Sequence, residues 1–148
     1  MKDHATDKTH LILVNGVVFD GDKVLVSQRS LDEPHEPGKW TIPGGKVEKT
    51  IGDVFNIIEE TLKKEVMEET GVEIEDKVEM VTNNTFIRST GQHVVALIFK
   101  CNYKSGEAKP LEDTIDCKWA TREEVDSMEF PPNVKGYILE AFNLNSPN

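Results

Sequence analysis

One stretch of helical period in a chain otherwise patterned for strands is the strongest constraint on its fold. From about Val54 to Thr70, the apolar residues Ile58, Leu62 and Val66 recur every four positions, and Gly71 follows as a residue able to turn left-handed and stop a helix. On either side the pattern belongs to strands. "HLILVNGVVFDGDKVLVSQRS" gives two β-rich runs around Asp20-Gly21, which predicts a hairpin because glycine accepts the positive φ of such turns. A Pro- and Gly-punctuated loop, "LDEPHEPGKW", leads into a short "WTI" strand that stops at Pro43-Gly44-Gly45. Segments 72–87, 92–103 and 114–120 return to strand character, the last two joined by "KSGEAKPLED". Thr121 and Glu124 have the spacing of a capping box for a short helix. After Pro131-Pro132 a final helix is expected to bury Tyr137, Ile138 and Phe142, leaving "NLNSPN" as a frayed tail. The order strands, helix, strands, helix predicts an α/β (α+β) sandwich rather than a bundle, and 148 residues without an internal repeat fit one domain, 1–148.

The helical stretch carries an apparent fault. Glu65, Glu68 and Glu69 fall within about one and a half turns, and like charges three and four residues apart cost roughly 0.2–0.5 kcal/mol per pair. With Glu65 set at zero, Glu69 lies near +40° and Glu68 near −60°, while Ile58, Leu62 and Val66 lie at about +20°, +60° and +100°. The acidic and apolar stripes adjoin. A solubilising face is more often opposite the buried one, so these carboxylates are expected on the rim of a cleft, where desolvation strengthens the hold on a cation. Lys64 stands four residues before Glu68, placed to neutralise or orient it. The competing reading is a solvated acidic face, since a chain with 27 Asp and Glu produces clusters by chance.

The net charge of −10 disfavours a grip on nucleic-acid polymers or anionic membranes, which is built from clustered Lys and Arg. Any phosphate must then be met locally, through a metal ion. Two cysteines, Cys101 and Cys117, do not make a disulfide framework and are expected as small buried apolar residues. "MKDHATDKTH" lacks a basic leader, and the apolar run from Leu11 to Phe19 is short and broken by Asn15 and Gly16, so neither a signal peptide nor a membrane span is expected. The expected setting is cytoplasmic.

"GKWTIPGGKVE" followed by "KEVMEETGV" resembles the Nudix hydrolase family, whose signature is G-x5-E-x7-R-E-U-x-E-E-x-G-U with U aliphatic. The likeness extends to a hairpin ending in "SQR", a W-x-x-PGG approach and a late "CKWATREEV" segment, spanning about residues 9–142. Gly45 matches the first glycine, and Glu65, Val66, Glu68, Glu69, Gly71 and Val72 match the second half. Two departures stand out. Lys64 replaces the usual Arg, and the first Glu falls on Asn56, with the interval from Gly45 five residues too long, an insertion within "KTIGDVFN". Asp53, Glu59 or Glu60 are the acids placed to substitute for that missing charge.

The resemblance implies a Nudix-type α-β-α sandwich with a mixed sheet. It also implies an Mg²⁺-dependent or Mn²⁺-dependent hydrolase that splits the diphosphate linkage of a nucleoside diphosphate derivative, an NTP or dNTP or a nucleotide sugar such as ADP-ribose. Mg²⁺ prefers oxygen, and the metal-binding residues implied are Gly44, Gly45, Glu65, Glu68, Glu69 and Glu112, with Asp113 as a neighbour of the last. Glu65, Glu68, Glu69 and Lys64 are the implied catalytic group, one carboxylate or a loop acid acting as general base. Arg29, Lys46 and Asn133 are the candidates for substrate contact; Glu48 is a further loop acid, and Trp40 is either a base contact or a core residue. The partner is a small nucleotide, with the protein a monomer or homodimer, since no exposed apolar stripe demands a dimer. The alternatives are a Nudix-fold nucleotide sensor that does not cleave, and a relative of isopentenyl-diphosphate isomerase, which needs a catalytic cysteine.

Overall fold

A computed structural model of the chain describes residues 9–145. The acidic opening, up to residue 8, and the last three residues of the expected tail lie outside them. Strand β1 (Leu11–Asp20) turns back through Gly21 and Asp22 into β2 (Lys23–Arg29), with Asp20 opposite Lys23 and Gly21 at φ 64°. The hairpin is thus one residue later than expected. β3 (Trp40–Thr41) adds to β2, and β4 (Gly44–Lys46) lies antiparallel to β1, pairing Asn15 with Gly44 and Val14 with Gly45. The two glycines begin a further strand, where the sequence showed only the end of the one before Pro43.

Helix α1 (Ile57–Thr70) is followed by β5 (Glu73–Ile74), β6 (Glu79–Ile87), β7 (His93–Ser105) and β8 (Thr114–Ala120). Then come α2 (Arg122–Ser127), held by the Thr121–Glu124 capping box, and α3 (Val134–Asn145). The expected helix start at Val54 is corrected to Ile57, because Asn56 is left-handed at φ 60° and the six residues before it, within the stretch that carries the insertion, are irregular chain. Gly71, at φ 76°, ends the helix as anticipated, its N–H bonding the Met67 carbonyl. The single strand expected over 72–87 is two, and residues 143–145, expected as tail, complete α3.

β1 runs parallel to β7 over nine paired residues, while all other pairings are antiparallel. The sheet is therefore mixed. Alternation along the strands divides its apolar residues between two cores. Val14, Val18, Leu25, Phe99 and Cys101 face Leu62 and Val66 of α1. Val17, Phe19, Val24, Val26 and Ile98 face Val125 of α2 and Ile138, Ala141 and Phe142 of α3. This α-β-α sandwich sets one end of α1 against β4, and that contact defines the site.

Candidate active site

Glu65 and Glu69 enter a cavity of about 190 Å³ from α1, facing Gly44 of β4, the end of β2 at Arg29 and the loop residues Glu112 and Asp113. Their placement follows from the wheel: with Leu62 and Val66 fully buried, residues 65 and 69 are carried to the edge of the buried stripe. Both are half-buried. A second cavity, of about 710 Å³, adjoins the first and shares Asn15, Arg29, Thr41 and Ile42 with it.

Close approach explains both glycines. A Cβ on Gly45 would lie 2.6 Å from the Glu65 carboxyl carbon, so the bare backbone is what admits that side chain. A Cβ on Gly44 would instead strike the Val14 carbonyl oxygen and the Asn15 side chain, so this glycine lets β4 lie against β1.

The loop before β8 is fastened to the end of α1. The last carbonyls of a helix have no partner within it. Here the Lys109, Leu111 and Glu112 N–H groups donate to the carbonyls of Thr70, Glu69 and Glu68 at 3.0, 3.1 and 3.4 Å. The Ser30 N–H donates to the Asp113 carbonyl at 3.2 Å, tying the same loop to β2. The sequence marks "KSGEAKPLED" as a connector ending in the candidate acids Glu112 and Asp113, but gives no sign of how it is fastened to α1. Its docking depends on backbone donors, which have no residue-type signal.

The carboxylates are held away from their ordinary ionisation. Burial, and then the negative charge of Glu65, push the Glu69 carboxyl up to about 9, while the Gly44 N–H and the Arg29 charge pull the other way. The Glu65 carboxyl is also raised, first by burial and then by Glu68, with Lys64 opposing. Two crowded acids, one protonated at neutral pH, mark a place suited to a cation. Among the described residues no three His, Cys, Asp or Glu side chains are gathered tightly enough to hold an ion alone. Mg²⁺ prefers oxygen ligands and fills its remaining positions with water and substrate phosphate. The donor set is hard oxygen throughout, and it fits.

The expected site residues do not all converge. Glu68 is turned from the cavity by its −60° position and faces Lys64, the two 3.8 Å apart, and neither lines either cavity. Lys46 is exposed on β4 opposite Leu13 and, like Glu48, lines neither cavity. Arg29 stands at the junction of the cavities, its Nε donating to the His35 carbonyl at 2.9 Å and its guanidinium 3.3 Å from Glu33. Asn133, left-handed at φ 77°, lines the larger cavity beside Pro132 and Tyr137. Trp40, partly buried, packs against the core beneath the Lys118 ammonium and lines neither cavity.

The model of the NUDIX domain matches residues 9–141, nearly the whole described chain. The chain belongs to the Nudix hydrolase family. A "MutT-like protein" of Streptomyces ambofaciens is 31% identical over 116 residues, covering 78% of this chain and 67% of that one. A Mycobacterium tuberculosis protein named "Putative 8-oxo-dGTP diphosphatase 2" is 28% identical over 131 residues, covering 87% and 86%. Among solved structures, the NUDIX domain of Shewanella oneidensis NrtR complexed with ADP ribose superposes with a TM-score of 0.77, covering 98% and 94% of the two chains at 22% identity.

In this Nudix hydrolase the departures from the signature have visible locations. Asn56 is exposed as the left-handed N-cap of α1, making no side-chain capping bond. The insertion puts Ile51 and Phe55 in solvent. Asp53 and Glu60 are exposed, and Glu60 is 3.9 Å from Lys63; neither they nor Glu59 line the acidic cavity. Both cysteines are free and lie in strands, their thiols pushed up to about 12 chiefly by burial. Neither is a poised nucleophile, which removes the support for an isomerase-like chemistry. No helix among the described residues is long and apolar enough to cross a membrane.

Proposed function

We propose that this Nudix hydrolase uses Mg²⁺ or Mn²⁺ to cleave the diphosphate linkage of a nucleoside diphosphate derivative by water attack on phosphorus. One observation carries the reading: the small acidic cavity adjoins a larger one of mixed apolar and polar lining, the two sharing Asn15, Arg29, Thr41 and Ile42. The first suits a diphosphate with its ions, and the second suits a nucleoside. Glu65 and Glu69 would hold the metal with the Gly44 or Gly45 carbonyl, and Glu112 is the acid placed to complete the set. The bound ion would neutralise the diphosphate oxygens and favour ionisation of the attacking water. Arg29 contacts the phosphate nearest the nucleoside with a planar, permanently charged group. Asn133 offers donor and acceptor to a base edge from the wall of the larger cavity. A carboxylate of the cavity wall takes the proton from water. Glu68, held by Lys64, acts on the electrostatics of Glu65 rather than as a direct ligand.

The relatives support two substrate classes, a (d)NTP cleaved to its monophosphate and pyrophosphate, or an ADP-ribose-like nucleotide sugar. The test is a nucleotide panel with Mg²⁺ or Mn²⁺, followed by phosphate, pyrophosphate and AMP release, repeated on Glu69→Gln. Turnover that depends on the ion and on Glu69 supports the hydrolase. Tight binding without release from any substrate transfers the assignment to a nucleotide sensor.

A further inference from the structure

Ser27 lies on β2 between Thr41 of β3 and Cys117 of β8, its partners across the two ladders. It is fully buried, and its hydroxyl oxygen has no hydrogen-bond partner among the described residues. Buried hydroxyls are rarely left so, because the lost hydration is not recovered. The neighbours do not relieve it: Thr41 Oγ1 is 3.5 Å from the Ile42 carbonyl it faces, and Cys117 offers only a weakly accepting sulfur. The position is not random. Ser27 lines the same 190 Å³ cavity as Glu65 and Glu69, on the sheet face that α1 covers.

Among the residues lining that cavity, Arg29 is the one cation. Glu33, Glu65, Glu69, Glu112 and Asp113 are acids. A neutral hydroxyl among the lining residues would supply a donor without adding charge, reaching the cavity by rotation about χ1 from one staggered position to another. We propose that Ser27 is a substrate-contacting residue, its hydroxyl donating to a non-bridging diphosphate oxygen held in the acidic cavity. This deepens the diphosphate-hydrolase reading and rests on it.

The ordinary alternative is a wall hydroxyl hydrated by an ordered water. Ser27→Ala separates the two. Since no protein hydrogen bond is lost, the thermal midpoint of Ser27→Ala stays level or rises. A donor to substrate predicts that kcat/KM falls about ten- to hundredfold, and that the inhibition constant of inorganic pyrophosphate with Mg²⁺ rises by a similar factor. Ser27→Cys, close in shape with a weaker donor, falls between. Kinetics and pyrophosphate inhibition within twofold of wild type, or a midpoint lowered by several degrees, overturn the proposal. Calorimetric titration of pyrophosphate with Mg²⁺ keeps it separate from the hydrolase reading. A wild type that hydrolyses nothing yet binds pyrophosphate at least tenfold better than Ser27→Ala sinks the hydrolase and leaves the contact standing. Hydrolysis that is indifferent to Ser27 does the reverse, and neither hydrolysis nor pyrophosphate binding sinks both.

Discussion

Replacing Gly45 and Gly44 by alanine, one at a time, tests whether the Glu65 carboxylate is a working part of the site. At Gly45 the new Cβ would lie 2.6 Å from the Glu65 carboxyl carbon and 3.0 Å from its Cγ. Carbon atoms settle at about 3.5–4.0 Å, so the end of the Glu65 side chain must withdraw by about 1 Å. That end is flexible, Gly45 has no left-handed φ, and alanine in a strand costs less backbone entropy than glycine. The expected change in stability is below about 1 kcal/mol of either sign. Displacing a reacting group by 1 Å is expected to cost about a hundredfold in rate. At Gly44 the same methyl meets backbone, the Val14 carbonyl and Asn15 Cα, neither of which withdraws without parting β4 from β1. Gly44→Ala therefore loses about 1–3 kcal/mol or more of stability. Urea unfolding with Mg²⁺-dependent turnover of the best panel substrate measures both quantities. A folded Gly45→Ala protein within threefold of wild-type kcat/KM, or one as destabilised as Gly44→Ala, would refute the reasoning.

Three further outcomes are expected. With its carboxyl pushed up to about 9, Glu69 is only about 1% ionised at pH 7, so ion binding must displace a proton. Apparent Mg²⁺ affinity should rise about tenfold per pH unit below pH 9, with about one proton released per ion in calorimetry across buffers of different ionisation enthalpy; a pH-independent affinity contradicts it. The same raised value means that, without metal, the stabilising contribution of this group is complete below about pH 4.5 and is lost as pH climbs through about 9. Glu69→Gln should accordingly flatten the alkaline fall in thermal midpoint while lowering hydrolysis by about a hundredfold or more. Thr121→Ala removes the capping box, whose residues line neither cavity, and should lower stability by about 1 kcal/mol, seen as a reduced urea midpoint at constant m, with kcat/KM unchanged.

The fold was legible where local chemistry is self-sufficient. Thr121 with Glu124 marked α2, Gly71 stopped α1, and the 3.6-residue repeat of Ile58, Leu62 and Val66 oriented Glu65 and Glu69 toward the buried edge. It was illegible where partners are distant along the chain. "PGG" reads as a turn because Pro and Gly punctuate turns, yet Gly44–Lys46 is a strand, since β1 supplies its hydrogen bonds and tolerates nothing larger than hydrogen at residue 44. Glu68 and Glu69 are indistinguishable as letters. Only the packing of α1 turns one to Lys64 and the other into the cavity.

Taken alone, the order of residues determined the class of fold, the family signature and the crowding of like charges on one helix, because periodicity and adjacency are properties of the chain itself. The folded sheet decided which acids are desolvated, that the loop before β8 closes on the helix end, and that Ser27 faces the same hollow as Glu65. Desolvation and convergence depend on what the rest of the chain brings alongside, and no local pattern encodes that.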